Sequence, residues 1–279
     1  MMFANWPSNR PRISHLYLSP NVTNLNRRVY HSLTEPPRNV KECIDWLIAL
    51  KGKDGEKNLK ALGAALHKIL ADKPVGKMKV PALEKIKVIT KKFLEKPENT
   101  RLLSSNELKW RFQEPLDKGF GAAQAFGLVP KSNYKNVIQT KGVTAKTVSK
   151  NLIKVVDGCE QFLENIKVPD HYKSAYSPEA TWDASCAKDV EAYAIIFMGV
   201  APMLYAGLHC FRLMSLYAWW GGPDSEAAKN MPEVLKAVGY VEPEYRAGMS
   251  AANVRRALRP VDYEILGIIY DLCGFWAFY

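Results

Sequence analysis

The sequence predicts an all-α fold, an irregular multi-helix bundle of about eight to ten helices. Apolar residues recur at the three- and four-residue spacing of one helix face in several long segments. No stretch of alternating apolar and polar residues, bounded by turn residues, indicates a strand. With 279 residues, of which 47% are hydrophobic and 24% are charged, the chain has a globular composition and enough length to bury a core.

The chain divides into an arm and a helical domain. Residues 1–38 are rich in proline, asparagine, serine and arginine without periodicity, so we expect an irregular N-terminal arm. We place the helical domain at residues 39–279, with a basic half at 39–150 and an apolar, acidic half at 151–279. Residues 1–150 hold 28 Lys and Arg against 12 Asp and Glu, and the remainder holds 11 against 16. This asymmetry predicts either attraction between the halves or a basic face for an acidic partner such as nucleic acid, sialylated glycans or anionic lipid.

Three amphipathic helices follow the arm. The first begins after Asn39, whose side chain can cap it, and ends at Gly52 in a Gly-Lys-Asp-Gly turn. This turn lacks the spacing of a phosphate-binding loop, so we interpret it as a chain reversal. A second helix spans Leu59 to Leu70, and a third enters through Pro81 with lysines opposite its apolar residues. These lysines form a candidate basic binding face without the interleaved aromatic residues that stack on bases: Lys79, Lys85, Lys87, Lys91 and Lys92.

The second half contains the two strongest helix signals. Apolar residues repeat at helical spacing from Val148 to Ile166. An uncharged run of twenty residues then extends from Ala192 to Phe211, and further apolar residues follow as far as Trp220. The length of this run permits a membrane span, whereas Pro202 within it favours a buried core helix. We predict a core helix and keep a membrane-inserting helix over residues 192–220 as the alternative. Shorter helices are predicted over Met231–Val238, Ser250–Leu258 and Val261–Tyr279.

No motif predicts a catalytic, cofactor or metal site. The five histidines have no paired spacing, and the five cysteines have no zinc-ligand spacing. The segment GFGAAQAFG, residues 119–127, resembles a dinucleotide loop only superficially, because no buried strand precedes it. Cys186 lies in the most polar surroundings of the cysteines, and we predict a reactive or intermolecular thiol there. We therefore expect a non-enzymatic protein without cofactors.

Three segments resemble the variant erythrocyte surface antigens of babesial blood parasites. PPRNVKECIDWLIALKGKDG, residues 36–55, is similar to a helix and Gly-Lys-Asp-Gly turn near the start of those proteins. YKSAYSPEATWDASC, residues 172–186, is similar to their approach to a cysteine-rich segment. IIFMGVAPMLYAGL, residues 195–208, is similar to an apolar run that comes later in the family. The three segments keep the family order along the chain.

The resemblance implies a multigene parasite antigen that is displayed on the infected erythrocyte, varies to escape antibody and takes part in adhesion to host endothelium. It implies a host receptor, antibody and a partner antigen subunit as partners, and it places the apolar run in a folded ectodomain. The cysteine- and lysine-rich insertion expected after Cys186 and a distal membrane anchor are missing, so we expect a short relative, a truncated copy or a fragment.

The location follows from the same resemblance together with the N-terminal sequence. The first thirty residues contain arginines and prolines and no apolar run of a secretory signal peptide. We expect export to the erythrocyte surface by an unconventional signal, or an intracellular location if this copy is not displayed. Membrane association stays a candidate property. A basic intracellular protein that binds nucleic acid through its lysine-rich half is the third hypothesis, which the absence of stacking aromatics disfavours.

Overall fold

The described residues fold into helices, and among them only isolated β-bridges occur besides the helices. The structure, a computed structural model, describes residues 28–76, 78–102, 106–113, 130–186 and 189–279. The all-α prediction is confirmed for this part of the chain. The helices in chain order are α1 Val40–Lys51, α2 Gly55–Leu70, α3 Pro81–Glu95, α4 Pro97–Leu102, α5 Asn106–Gln113, α6 Val137–Thr140, α7 Ala145–Ile166, α8 Trp182–Ser185, α9 Val190–Gly221, α10 Glu226–Lys229, α11 Met231–Ala237, α12 Ala251–Ala257, α13 Tyr263–Leu272 and α14 Phe275–Phe278.

The first helix begins and ends as the sequence predicts. The Asn39 side chain accepts a hydrogen bond from the Glu42 backbone N–H at 2.9 Å and thereby caps the helix. The Glu42 carboxylate in turn accepts hydrogen bonds from the Asn39 side chain and the Arg38 backbone. Gly52 ends α1 at a φ of 54°, a left-handed conformation that glycine adopts without strain.

Helix α9 forms the centre of the core. It contacts α1, α2, α3, α12 and α13. Two glycines allow these close approaches, because a Cβ on Gly207 would lie 2.3 Å from Val40 and one on Gly199 would lie 2.4 Å from Ile86. Within the described residues, α9 is the helix whose length and composition would permit a membrane crossing, and 83% of its most apolar window is buried inside the protein. This burial favours the predicted core helix over a membrane-inserting one.

Pro202 lies inside α9 without ending it. Proline has no backbone N–H, so the Met198 carbonyl one turn earlier loses its usual helical donor. The hydroxyl of Tyr279 donates a hydrogen bond to this carbonyl at 2.9 Å. The Thr90 hydroxyl donates to the neighbouring Gly199 carbonyl at 2.6 Å. Side chains from elsewhere in the chain therefore support the helix where its own backbone cannot.

Ion pairs join the basic and acidic halves. The Lys51 ammonium lies 2.9 Å from Asp157 and 2.5 Å from Glu160, both on α7. Lys51 donates a hydrogen bond to each carboxylate. The bond to Glu160, and then the bond to Asp157, raise the pKa of Lys51. Three further pairs cross the same boundary in the same sense, with the lysine in the basic half: Lys41–Glu244, Lys68–Glu191 and Lys141–Asp271. Of the two open interpretations of the charge asymmetry, these pairs favour attraction between the halves.

The predicted arm is partly packed against the helical domain. Residues 28–38 are irregular as expected, but Tyr30 and Leu33 are fully buried, and the Trp46 indole N–H donates to the Leu33 carbonyl at 3.0 Å. The folded part of the chain therefore begins before Asn39. Residues 1–27 and the segment GFGAAQAFG lie outside the described residues.

Candidate functional site

A cleft of about 650 Å³ opens between the last turns of α9 and helix α12. Each wall is a single helix face, because its residues follow the spacing i, i+3, i+4 and i+7. The α9 wall consists of Arg212, Ser215, Leu216 and Trp219. The α12 wall, which continues just beyond the helix, consists of Ala252, Arg255, Arg256 and Arg259, with Leu258 and Tyr263 completing the lining.

Arg212 fixes the two walls relative to each other. Its guanidinium donates to the Leu258 carbonyl at 3.2 Å and to the Val261 carbonyl at 2.7 Å, and both carbonyls follow the end of α12. The guanidinium carbon also lies 4.6 Å from the centre of the Tyr263 ring. The Nε atom of Arg212 is buried and has no hydrogen-bond acceptor in the described part of the chain. Arg212 is thus a fixed wall residue that keeps one unused donor.

Arg255 lies over an aromatic ring of the opposite wall. Its guanidinium carbon is 4.2 Å from the centre of the Trp219 ring. A guanidinium stacked on a ring by its face keeps the N–H groups along its edge available for other acceptors. The stack therefore holds Arg255 in place without using its hydrogen-bonding capacity.

The positive charge of the cleft is not compensated by acidic residues. No aspartate or glutamate occurs among the described residues that line the cleft. Arg255, Arg256 and Arg259 are exposed, and within the ranges that the structure covers they form no ion pair. Four arginines therefore line one cleft in which a ligand with negative charge would meet no repulsion from the walls.

Large exposed aromatic side chains occur in the cleft and beside it in the sequence: Trp219 and Tyr263 line the cleft, and Tyr217 and Trp220 are neighbours of Trp219 on α9. Trp219 is 59% exposed, Trp220 69%, Tyr217 53% and Tyr263 58%. Exposed tryptophans of this extent are uncommon on a soluble surface and are typical of binding sites, where one side of the ring meets an apolar group. The cleft thus combines positive charge with apolar surface.

Only some of the lysines predicted to form the basic face are exposed to solvent. Lys79, Lys85 and Lys92 are exposed, and Lys91 lies 3.8 Å from Glu95. Lys87 does not belong to this face, because it is buried. Its ammonium donates to Glu84 at 2.9 Å and to the Phe278 carbonyl at 2.6 Å, and it lies 4.6 Å from the centre of the Tyr279 ring.

Cys186 is buried, contrary to the polar surroundings that its sequence neighbours suggested. Burial raises the pKa of its thiol to about 12, so the reactive thiolate is scarce at neutral pH. The role as a reactive or intermolecular thiol stays a prediction, and the buried position argues against it. The other four cysteines are buried thiols as well.

A network of buried charges lies away from the cleft, beneath the start of α1. The Lys41 ammonium is 3.0 Å from the Asp45 carboxylate and 3.9 Å from Glu244, and all three side chains are buried. Asp45 also accepts hydrogen bonds from the Tyr172 hydroxyl and, at 2.8 Å, from the Ala175 backbone N–H. Burial, and then the negative charge of Asp45, raise the pKa of Tyr172. The network joins α1 to the segment that follows α7, and its charges are satisfied within the protein.

Comparisons with protein-family models, curated proteins and solved structures find no match for this chain. Among the described residues, no group of three or more His, Cys, Asp and Glu side chains could hold a metal ion. The cleft itself therefore provides the most specific indication of a binding site.

The sequence contains a signal for the cleft that motif searching does not detect. The pattern R-x-x-S-L-x-x-W ends the long apolar run, and A-x-x-R-R-x-x-R follows about thirty residues later, each at the spacing of one helix face. The sequence predicts the two segments as separate helices, and neither pattern by itself indicates a cleft. Only the packing of α12 against α9 brings the two patterns together.

Proposed function

We propose that the chain is a non-enzymatic helical recognition protein of the babesial variant erythrocyte surface antigen type. Its proposed role is antigenic variation and adhesion of infected erythrocytes. A host receptor, antibody and a partner antigen subunit are the proposed partners, and the surface of the infected cell is the proposed location. In this proposal the buried helices form a scaffold and the exposed surfaces bind.

The observation that carries the proposal is that the three segments with the family resemblance pack against one another. Asp45, from residues 36–55, accepts the backbone hydrogen bond of Ala175, from residues 172–186. Gly207, from residues 195–208, lies against Val40 so closely that no Cβ could be accommodated without a shift. Segments that keep the family order also form one interior unit, and this supports a shared scaffold.

The buried polar groups support a structural role rather than a catalytic one. Lys41 and Asp45 use their charges to hold α1 against the segment after α7. Catalytic acids and bases need access to a substrate, and these groups are enclosed by the core. We therefore assign the residues that carry the resemblance to folding.

Surface display can be tested with an antibody raised against the folded chain. We expect the antibody to stain intact infected erythrocytes and not uninfected ones. Staining that appears only after the cells are made permeable would place the protein inside the cell and contradict display.

Adhesion requires a separate experiment. Beads coated with the full chain should attach to endothelial cells more than beads coated with an unrelated helical protein of similar charge. A variant with Lys79→Ala, Lys85→Ala and Lys92→Ala tests whether the exposed lysines contribute, because these three side chains are exposed and belong to the predicted basic face. Equal attachment of the chain and the unrelated protein would contradict an adhesive role.

A further inference from the structure

We propose that the cleft between α9 and α12 binds a phosphate monoester, whose oxygens are held by Arg255, Arg256 and Arg259. This inference is independent of the antigen role, because it depends only on the walls of the cleft. The chemistry of a monoester is shared by a soluble phosphorylated molecule and by a lipid headgroup, and the experiment below separates these sources.

Without a ligand, the positive charges of the three arginines at the end of α12 repel one another. Arg255 and Arg259 are four residues apart at the end of α12, and Arg256 lies beside them on the same face. Like charges at this spacing repel each other on a helix surface. Part of this repulsion is offset by the helix dipole, which favours positive charge near a helix C-terminus. Arg212 already donates to the Leu258 and Val261 carbonyls there, and within the described residues the three exposed arginines have no hydrogen-bond acceptor.

A phosphate monoester matches several guanidinium groups in both charge and number of hydrogen-bond acceptors. A guanidinium presents its N–H groups as a planar fork, and a phosphate monoester offers three terminal oxygens with a charge between about −1.5 and −2. A single carboxylate has one negative charge and two oxygens, which is too little for the donors of several arginines.

The cleft also has room for an organic group attached to the phosphate. A cleft of about 650 Å³ is in the range of small-molecule sites and exceeds the size of inorganic phosphate alone. Trp219, which lines the cleft and is 59% exposed, provides apolar contact area for an organic group. Tryptophan and arginine together at an exposed helix end are also typical of surfaces that meet lipid headgroups. The site therefore suits an ester with an organic part.

The proposal can be tested with two probes that carry the same group. Glycerol 3-phosphate is the soluble probe, with binding measured by calorimetry. Phosphatidylcholine vesicles containing phosphatidic acid are the membrane probe, with binding measured by sedimentation. Vesicles containing phosphatidylserine at matched surface charge carry only a phosphodiester and serve as the comparison.

Two matched variants each remove three positive charges, one from the cleft and one from the predicted lysine face. One carries Arg255→Ala, Arg256→Ala and Arg259→Ala, and the other carries Lys79→Ala, Lys85→Ala and Lys92→Ala. All six side chains are exposed, so both variants should fold, which circular dichroism checks. We expect the arginine variant to bind at least about tenfold more weakly, because each charge-assisted hydrogen bond contributes roughly that factor. The lysine variant should lose less than about threefold, since it removes only long-range attraction.

Each outcome decides the proposal or the source of its ligand. Binding of glycerol 3-phosphate that is lost in the arginine variant supports the site and shows that the group alone suffices. Binding of phosphatidic acid vesicles alone, with the same loss, supports the site and assigns the lipid as the source; Trp220→Ala should then weaken vesicle binding further. No binding of either probe, equal loss in both variants, or equal binding to phosphatidylserine vesicles would overturn the proposal.

Discussion

The buried charges around Lys41 and the exposed arginines of the α9–α12 cleft differ in how their positive charge is balanced. Lys41 lies within 4 Å of two buried carboxylates, Asp45 and Glu244, and donates to the Lys173 carbonyl at 2.8 Å. Arg255, Arg256 and Arg259 are exposed and have no carboxylate partner in the described chain. Removing one partner of a buried ion pair destabilises a fold because the other charge is left uncompensated, whereas exposed charges without a carboxylate partner are available to a ligand.

The largest expected effect comes from breaking the buried network. Asp45→Ala leaves the Lys41 ammonium without its nearest carboxylate and removes the acceptor of Tyr172 and Ala175. We expect the free energy of unfolding to fall by about 3–5 kcal/mol, as measured by urea denaturation. Glu56→Ala is the control, since it breaks an exposed pair with Lys60 and should not change the midpoint measurably. An equal loss of unfolding free energy in both variants would show that the buried network stabilises the fold no more than an exposed ion pair does.

A smaller effect is expected where the resemblance segments pack together. Gly207→Ala places a methyl group 2.3 Å from Val40 and should lower the free energy of unfolding by about 1–3 kcal/mol through overpacking. The loss should be smaller when Val40→Ala is also present, because the space is then restored. A double-mutant cycle measures this coupling, and its absence would contradict the close contact of α1 and α9.

Alkaline pH should weaken the buried network selectively. Burial, followed by the negative charge of Asp45, raises the pKa of Tyr172 and Tyr240 above the ordinary value of 10.0. A phenol with a higher pKa in the folded chain contributes stability that is complete below pH 10.0 and is lost as the pH rises above it. Each such phenol should contribute a slope of about 1.4 kcal/mol per pH unit in urea denaturation above that value.

Variants of two tyrosines check this assignment. Tyr172→Phe removes one buried phenol and should make the alkaline loss of stability shallower. Tyr217→Phe changes an exposed side chain and should leave the slope unchanged. The same slope in both variants would place the alkaline sensitivity elsewhere in the protein.

The smallest effect on stability is expected in the cleft. Replacing Arg255, Arg256 and Arg259 together by alanine should change the free energy of unfolding by less than about 1 kcal/mol, because exposed residues contribute little to stability and a cation–π contact at an exposed site, such as that of Arg255 with Trp219, contributes about 0.5–1 kcal/mol. Denaturation in urea at neutral pH measures it against Asp45→Ala. A loss as large as that of Asp45→Ala would identify the arginines as structural and remove the contrast between the two regions.

Most of the helices could be predicted from the sequence, because their signals are local. The cap of α1 by Asn39, its end at Gly52 and the periodic residues of α7 each depend on neighbours within a few positions. The continuation of α9 through Pro202 could not be predicted in the same way. It depends on a hydroxyl donated by Tyr279, which is 77 positions later in the chain.

The residues of the candidate binding surfaces were harder to predict, although the sequence contains part of the information needed. Lys87 is four residues after Leu83 and seven before Leu94, so helical spacing already places it on the apolar side of α3. Its acceptor, the Phe278 carbonyl, is non-local and explains how a lysine can be buried there. For the cleft, the spacing of each wall is visible in the sequence, but the pairing of α9 with α12 is a tertiary property.

The support of Pro202 by Tyr279 has a consequence for the far end of α9. The half of the helix beyond the proline carries Arg212 and Trp219, and the Met198 carbonyl one turn before the proline accepts its hydrogen bond from the Tyr279 side chain instead of from the helix backbone. A helix is easiest to bend where a proline removes a backbone hydrogen bond. We therefore expect Tyr279→Phe to loosen the orientation of a cleft wall that Tyr279 does not line, and to weaken binding at the proposed site without changing any of its lining residues.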